Sequence, residues 1–152
     1  MADARDTVRL SLRLITTSRL IEREVDSLMR ARFGSTIARF DFMAALDRHG
    51  ALTLGEVSQY LLVSNGNVTQ LRTRLSEDGF IETQADKNDR RIQRVRLTSR
   101  GQSVCNAMAK AHAACVDRLL GGLSRADRQT LSQLLDSAKS SIRSKIDREA
   151  AA

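Results

Sequence analysis

The stretch Thr53-Leu-Gly-Glu-Val-Ser-Gln-Tyr-Leu-Leu-Val-Ser64-Asn-Gly-Asn-Val-Thr-Gln-Leu-Arg-Thr-Arg-Leu-Ser-Glu-Asp-Gly79 decides the architecture. Thr53 followed three residues later by Glu56 is a capping box, in which a hydroxyl and a carboxylate reciprocally satisfy backbone donors left open at a helix start. This predicts a helix over Thr53–Leu62. Ser64 is a second N-cap, and Val63 and Val68 stand at the two positions of a hydrophobic staple. Val68, Leu71 and Leu75 then recur at helical spacing until Gly79, a residue that readily takes the left-handed turn ending a helix. Two helices joined through Val63, Ser64 and Asn65 read as a helix-turn-helix.

Upstream, apolar residues from Val8 to Phe33 recur at helical spacing, with Leu14, Ile21, Val25 and Leu28 on one stripe and Val8, Leu12 and Ile15 beside it. A long amphipathic helix ending near Gly34 follows. Ile37, Phe40, Met43, Ala44 and Leu46 repeat the pattern in a shorter helix that stops at Gly50. Downstream, Phe80–Ala85 and Arg94–Thr98 read as two short strands, with Val95 and Leu97 inward and Arg94 and Arg96 outward, and Asp86–Gln93 as the hairpin tip. Thr98 caps another long helix to about Leu120, Gly121-Gly122 breaks it, and Ser124 with Asp127 opens a last helix toward Lys145, leaving Asp147–Ala152 frayed. The expected fold is mainly α: a single domain over 1–152, with a winged helix-turn-helix lobe over 37–98, long flanking helices over 5–34 and 99–146, and a two-stranded β wing.

Composition agrees. The 152 residues contain no proline and only 3% aromatics, which favours helices over a sheet sandwich. Lys and Arg number 25 against 18 Asp and Glu, a net charge of +7 that points to a polyanionic partner with nucleic acid as the leading candidate; behind a helix-turn-helix, double-stranded DNA is expected. Six basic residues against two acidic ones lie between Asp86 and Arg100, so much of the surplus sits on the hairpin. No P-loop, dinucleotide fingerprint, nucleophile elbow or His-rich metal spacing occurs, so an enzyme, a cofactor and a metal are not expected. Two cysteines, Cys105 and Cys115, are too few for a disulfide framework, and no apolar run is long enough for a membrane span; a cytoplasmic protein with no membrane partner is expected.

The second helix of the pair carries side chains suited to base edges and phosphates. Gly66, Thr69, Gln70 and Thr73 lie on the face opposite Val68, Leu71 and Leu75, flanked by Asn65, Asn67, Arg72 and Arg74, with Ser64 at the helix start. Asn and Gln can pair with adenine, Arg with guanine, and a helix N-terminus can hold a phosphate. On the hairpin, Asp89, Arg90, Arg91 and Arg94 are the candidates: an arginine held by a neighbouring carboxylate can enter a narrow A·T-rich minor groove.

The runs Thr53-Leu-Gly-Glu-Val-Ser, Val63-Ser-Asn-Gly-Asn-Val-Thr, Asp89-Arg-Arg and Val95-Arg-Leu-Thr98, with Gly101, resemble the MarR family of transcriptional regulators. The resemblance implies a homodimer held by the N- and C-terminal helices, a pseudo-palindromic operator, a recognition helix over Ser64–Asp78, a wing-tip pair of Asp89 and Arg91, and repression relieved by a small ligand. Arg32–Arg48, Ser64–Thr69 and Met108-Ala-Lys-Ala-His112 are similar to members that control aromatic-acid catabolism and respond to hydroxycinnamoyl-CoA thioesters. A pocket for such a ligand would be lined by Phe33, Phe40, Met43 and Met108, with Arg19, Arg39 or His112 for a polar group and Arg19, Arg23, Arg32 and Arg39 for the anionic CoA. Two alternatives stay open: a redox sensor of this fold acting through Cys105 or Cys115, and a nonspecific architectural DNA binder.

Overall fold

In the computed structural model, residues 4–61 and 65–151 are described. The Ser64 cap and the Val63 half of the staple fall outside them. Helix α1 runs over Ala4–Phe33. It starts a turn before the apolar repeat because Ala4, Arg5 and Asp6 contain no breaker, and Asp6 sits favourably in the first turn, where the helix dipole is positive.

Helix α2 (Ile37–His49) begins at Thr36, whose hydroxyl accepts from the Arg39 amide at 3.2 Å. It ends at Gly50, with φ +78°. Its buried residues, Phe40, Phe42, Met43, Ala45 and Leu46, cover more of the circumference than the single stripe expected from spacing, and Phe42 has no exposed surface. The reason is tertiary: α2 packs against α1, α3 (Leu54–Leu61), α4 (Asn65–Glu77) and strand β2 (Gln93–Leu97), and a helix surrounded by neighbours is apolar on several sides.

The capping box forms as read: the Thr53 hydroxyl accepts from the Glu56 amide at 3.2 Å, and the Glu56 carboxylate accepts from the Thr53 amide at 2.8 Å. On α4, Val68 and Leu75 are buried and Leu71 half-buried. The helix closes in a Schellman motif: Gly79 has φ +70°, its amide donates to the Ser76 carbonyl, and the Phe80 amide donates to the Leu75 carbonyl at 2.9 Å. This corrects the strand boundaries. Phe80 is consumed in ending α4, so β1 is Ile81–Ala85, and Thr98 is consumed in capping the next helix, so β2 stops at Leu97. The strands pair antiparallel, with Ile81 opposite Leu97 and Thr83 opposite Val95. Leu52 adds an isolated antiparallel bridge on the other side of β2 that periodicity did not reveal, exchanging backbone hydrogen bonds with Val95 at 3.0 and 2.7 Å.

Helix α5 (Ser99–Leu119) buries Gly101, Cys105, Met108, Ala111 and Cys115 along one stripe. The described chain forms two compact units, divided between Val116 and Asp117. In the second, α6 (Arg125–Ala150) opens with a capping box between Ser124 and Asp127. It runs through Asp147, correcting the expected fraying, because Arg148, Glu149 and Ala150 are good helix formers with no breaker among them. Helix α1 leaves Val8, Leu10, Leu12, Leu14, Ile15 and Leu20 exposed, so much of its expected core stripe is surface in the single chain. Helix α6 likewise exposes Leu131, Leu134, Leu135, Ile142 and Ile146. No described helix is long and apolar enough to cross a membrane.

At Gly101 a Cβ would stand 1.9 Å from the Phe80 carbonyl oxygen. Gly→Ala inside a helix ordinarily stabilises by about 1 kcal/mol. Here Gly101→Ala is expected to destabilise by about 1 to 3 kcal/mol, because backbone must move to admit the methyl. Chemical denaturation at fixed protein concentration measures this; a raised midpoint would contradict the close approach.

Candidate nucleic-acid interface

Helix α4 presents Gly66, Asn67, Thr69, Gln70, Thr73 and Arg74 as exposed residues. Nothing lies within 4 Å of a Cβ placed on Gly66, so the backbone there is open to a close-approaching partner. The Thr73 hydroxyl donates to the Thr69 carbonyl at 3.1 Å. Arg72 is half-buried, and its Nη2 donates to Thr83 Oγ1 at 3.3 Å, tying α4 to β1. Asn65 opens α4, and Ser64 lies outside the described residues.

The hairpin tip is a built loop. Asp86 accepts from the amides of Asn88 at 2.8 Å and Asp89 at 3.2 Å, while its own amide donates to the Ile92 carbonyl at 2.8 Å. Asp89 accepts from the Arg91 amide at 3.0 Å, from its Nε at 3.1 Å and from its Nη2 at 3.1 Å, a fork-on-carboxylate pairing. The Arg91 side chain is nonetheless 91% exposed, so the guanidinium is both oriented and presented. The bond from the Arg91 side chain, more than that from its amide, holds the Asp89 carboxyl below the usual carboxylate range.

The other hairpin cations divide into two kinds. Arg94 Nε donates to Asp86 and its Nη1 to Glu56 at 3.0 Å. Arg96 pairs with Glu82, and the Arg100 guanidinium lies 5.3 Å from the Phe80 ring centroid. Lys87 and Arg90 make no ion pair among the described residues. The charge surplus read from the sequence is therefore largely engaged in holding the lobe's own shape. The Arg94 hydrogen bond, helped by the Asn88 and Asp89 amides, holds the Asp86 carboxyl down at about 2. The Thr53 amide and Arg94 together lower that of Glu56.

Of the ligand candidates, Phe33, Arg39 and Met108 meet around a cavity of about 320 Å³, joined by Asp78, Phe80 and Arg100. Arg39 Nη2 pairs with Asp78, and its buried Nε has no hydrogen-bond partner among the described residues. Phe40 and Met43 are buried on α2 outside this lining, and the Phe40 ring stands 5.2 Å from the His112 ring. Arg19 and Arg23 are exposed on α1, Arg23 paired with Glu24 at 3.3 Å. Sequence reading missed Asp78 and the second role of Glu56: their partners lie 39 and 38 residues away along the chain, and no local spacing signals them.

The profile of the MarR family matches residues 33–92, from the end of α1 through the wing loop. A MarR family transcriptional regulator from Silicibacter pomeroyi, solved by crystallography, is 26% identical and superposes with a TM-score of 0.79 over 93% of this chain and 99% of that one. The lobe over residues 33–92 carries the sequence pattern of the MarR family. BadR of Rhodopseudomonas palustris, named a transcriptional activatory protein, is 30% identical over 105 residues, 67% of this chain and 59% of that protein. The chain spans about 60% of the length of the curated relatives it matches. The fold is also that of a mutant MarR from E. coli solved in complex with operator DNA: 23% identity, a TM-score of 0.76, and coverage of 90% of this chain and 99% of that one. The winged helix-turn-helix and its wing are thus family features, whereas the Arg94 pairings are read from this chain alone.

Both cysteines are buried, and Cys105 is 1% exposed. Burial, reinforced by the charge of Asp47, pushes its thiol up to about 11. A thiolate is the reactive form, so this environment opposes peroxide chemistry. Labelling by a disulfide reagent at pH 8 is expected to be at least about tenfold slower for Cys105 in the native protein than in the denatured chain, the unperturbed thiol lying near 8.5. Equal rates would restore the thiol-sensor alternative.

Proposed function

We propose that the protein is a homodimeric DNA-binding transcriptional regulator, a repressor of genes for aromatic-compound catabolism that leaves its operator when an aromatic acid or its CoA thioester binds. The observation that carries the DNA-binding part is the pairing of two readers on one lobe: the exposed face of α4 and an Arg91 fork oriented by Asp89. On this reading Asn65, Asn67, Thr69, Gln70, Thr73 and Arg74 address the major groove. Arg91 enters the flanking minor groove, with Arg90 and Lys87 along the backbone. A second copy would cover the apolar side chains exposed on α1 and α6, giving the two-fold symmetry that a pseudo-palindrome requires.

The cavity supports the ligand part. Its volume, about 320 Å³, lies at the small end of ligand sites and suits a single aromatic ring with an acid group, the ring against Phe33 and Met108 and the carboxylate toward Arg39. Asp78, which holds Arg39, directly follows α4, so an incoming carboxylate would compete with the residue that anchors the recognition helix. A thioester would leave its CoA outside, where Arg19, Arg23 and Arg32 are exposed on α1.

The test is binding to a duplex from the gene's own upstream region at fixed salt, titrated with p-coumaroyl-CoA, the free acid and CoA alone. Release by the thioester or the acid, but not by CoA, is expected. Binding indifferent to all three would discard the ligand, and binding no tighter than to random duplex would leave the architectural alternative. Arg91→Ala is expected to cost about 1 to 3 kcal/mol of operator binding. Arg39→Ala breaks the same Asp78 pairing, so it is expected by itself to weaken operator binding about three- to tenfold, and to raise the ligand concentration needed for any further release by at least about tenfold, the loss of one charge-assisted pair.

A further inference from the structure

Among the described residues, Arg94 is the one wing cation that pairs with two carboxylates from two separate segments. It lies on β2, its Nε donates to Asp86 at the root of the wing loop, and its Nη1 donates to Glu56 at 3.0 Å in the first turn of α3. The side chain is only 28% exposed, against 91% for Arg91, and Asp86 is 13% exposed. Each carboxylate has a second duty. Asp86 accepts the Asn88 and Asp89 amides that shape the loop carrying Arg91, and Glu56 accepts the Thr53 amide that starts the helix-turn-helix. A guanidinium that gives its Nε to one carboxylate and its Nη1 to another is committed to the lobe before any phosphate arrives, although its position outward on β2 suggests a phosphate contact from sequence alone.

From this geometry we infer that Arg94 is a positioning residue: it fastens the wing loop to α3, so that Arg91 and the exposed face of α4 are held at one separation and read DNA as a unit. The inference rests on the proposed DNA-binding function. The opposing possibility is an ordinary electrostatic arm, in which Arg94 touches backbone phosphate and the wing finds its groove independently. The two differ in salt dependence, because removing a cation that pairs with a phosphate lowers the salt slope by about one. They differ also in the effect of removing Asp86. Deleting a carboxylate from a DNA-facing arm strengthens binding to a polyanion, whereas deleting the strut's anchor loosens the reader.

The experiment uses the full chain and a duplex selected by the wild-type protein from a random pool. Three forms of the duplex are compared by fluorescence anisotropy over a salt series: the selected sequence, one with its A·T flank changed to G·C, and one with its half-site cores scrambled. For Arg94→Leu and for Asp86→Asn the expected result is about tenfold weaker binding, loss of the flank preference, retention of the core preference, and a salt slope changed by less than about half of what removing a phosphate pairing would produce. Loss of both preferences together would indicate general unfolding and overturn the positioning role. So would an intact flank preference with a slope lowered by about one for Arg94→Leu, or tighter binding by Asp86→Asn. A DNA-independent readout separates this inference from the function it rests on: the Asp86 carboxyl, titrated by NMR, is expected to move from about 2 in the wild type toward the ordinary carboxylate range in Arg94→Leu. If that shift appears and no duplex is ever selected, the functional proposal fails while the strut stands. If the titration is unchanged by the substitution, the strut fails.

Discussion

Helix α2 carries apolar side chains around most of its girth, and burying them requires α1, α3, α4 and β2 to close on it together. Phe42 and Met43 are essentially without exposed surface, so a large-to-small change at either leaves a cavity that several elements share. The consequence reaches the surface. Because Val57 of α3, Val68 and Leu75 of α4 and Val95 of β2 are buried in the same core, α4 and the wing are placed relative to each other before any polar contact acts.

Polar contacts then refine that placement. The wing's positive charge suggests a simple electrostatic arm, yet Arg94 and Arg96 are paired within the lobe and Arg91 is drawn into a fork with Asp89. The exposed pairs of Arg91 and Arg96 contribute little to stability, so their value here is geometric: they set where a cation points. A preoriented guanidinium loses less rotational freedom on entering a groove than a loose one.

The short link from α4 to β1 concentrates several constraints. Asp78 pairs with Arg39, Gly79 supplies the left-handed turn and its carbonyl accepts from the Thr98 hydroxyl, and Phe80 lies under Arg100 with its carbonyl against Gly101. Helix α4, the wing, the start of α5 and the cavity meet at Asp78, Gly79 and Phe80. Under the proposed function, a ligand that disturbs Asp78 would act beside the link from α4 to the wing, with no long relay required.

Local chemistry in the sequence was enough for the elements and for the capped helix ends. Thr53 with Glu56 and Ser124 with Asp127 cap helices as read, and Gly50 and Gly79 terminate them, because caps depend on residues three or four apart. The basic hairpin and the Asp89–Arg91 pair were legible for the same reason. What tertiary structure decided was which side chains serve twice. Phe80 and Thr98 left the strands to close one helix and cap another, and Phe42 became core because its helix is surrounded. Arg39 found Asp78 at a separation of 39 residues, and Glu56 found Arg94 at 38. Burial on every side and pairing across the fold depend on which surfaces meet, and no periodicity along the chain encodes that.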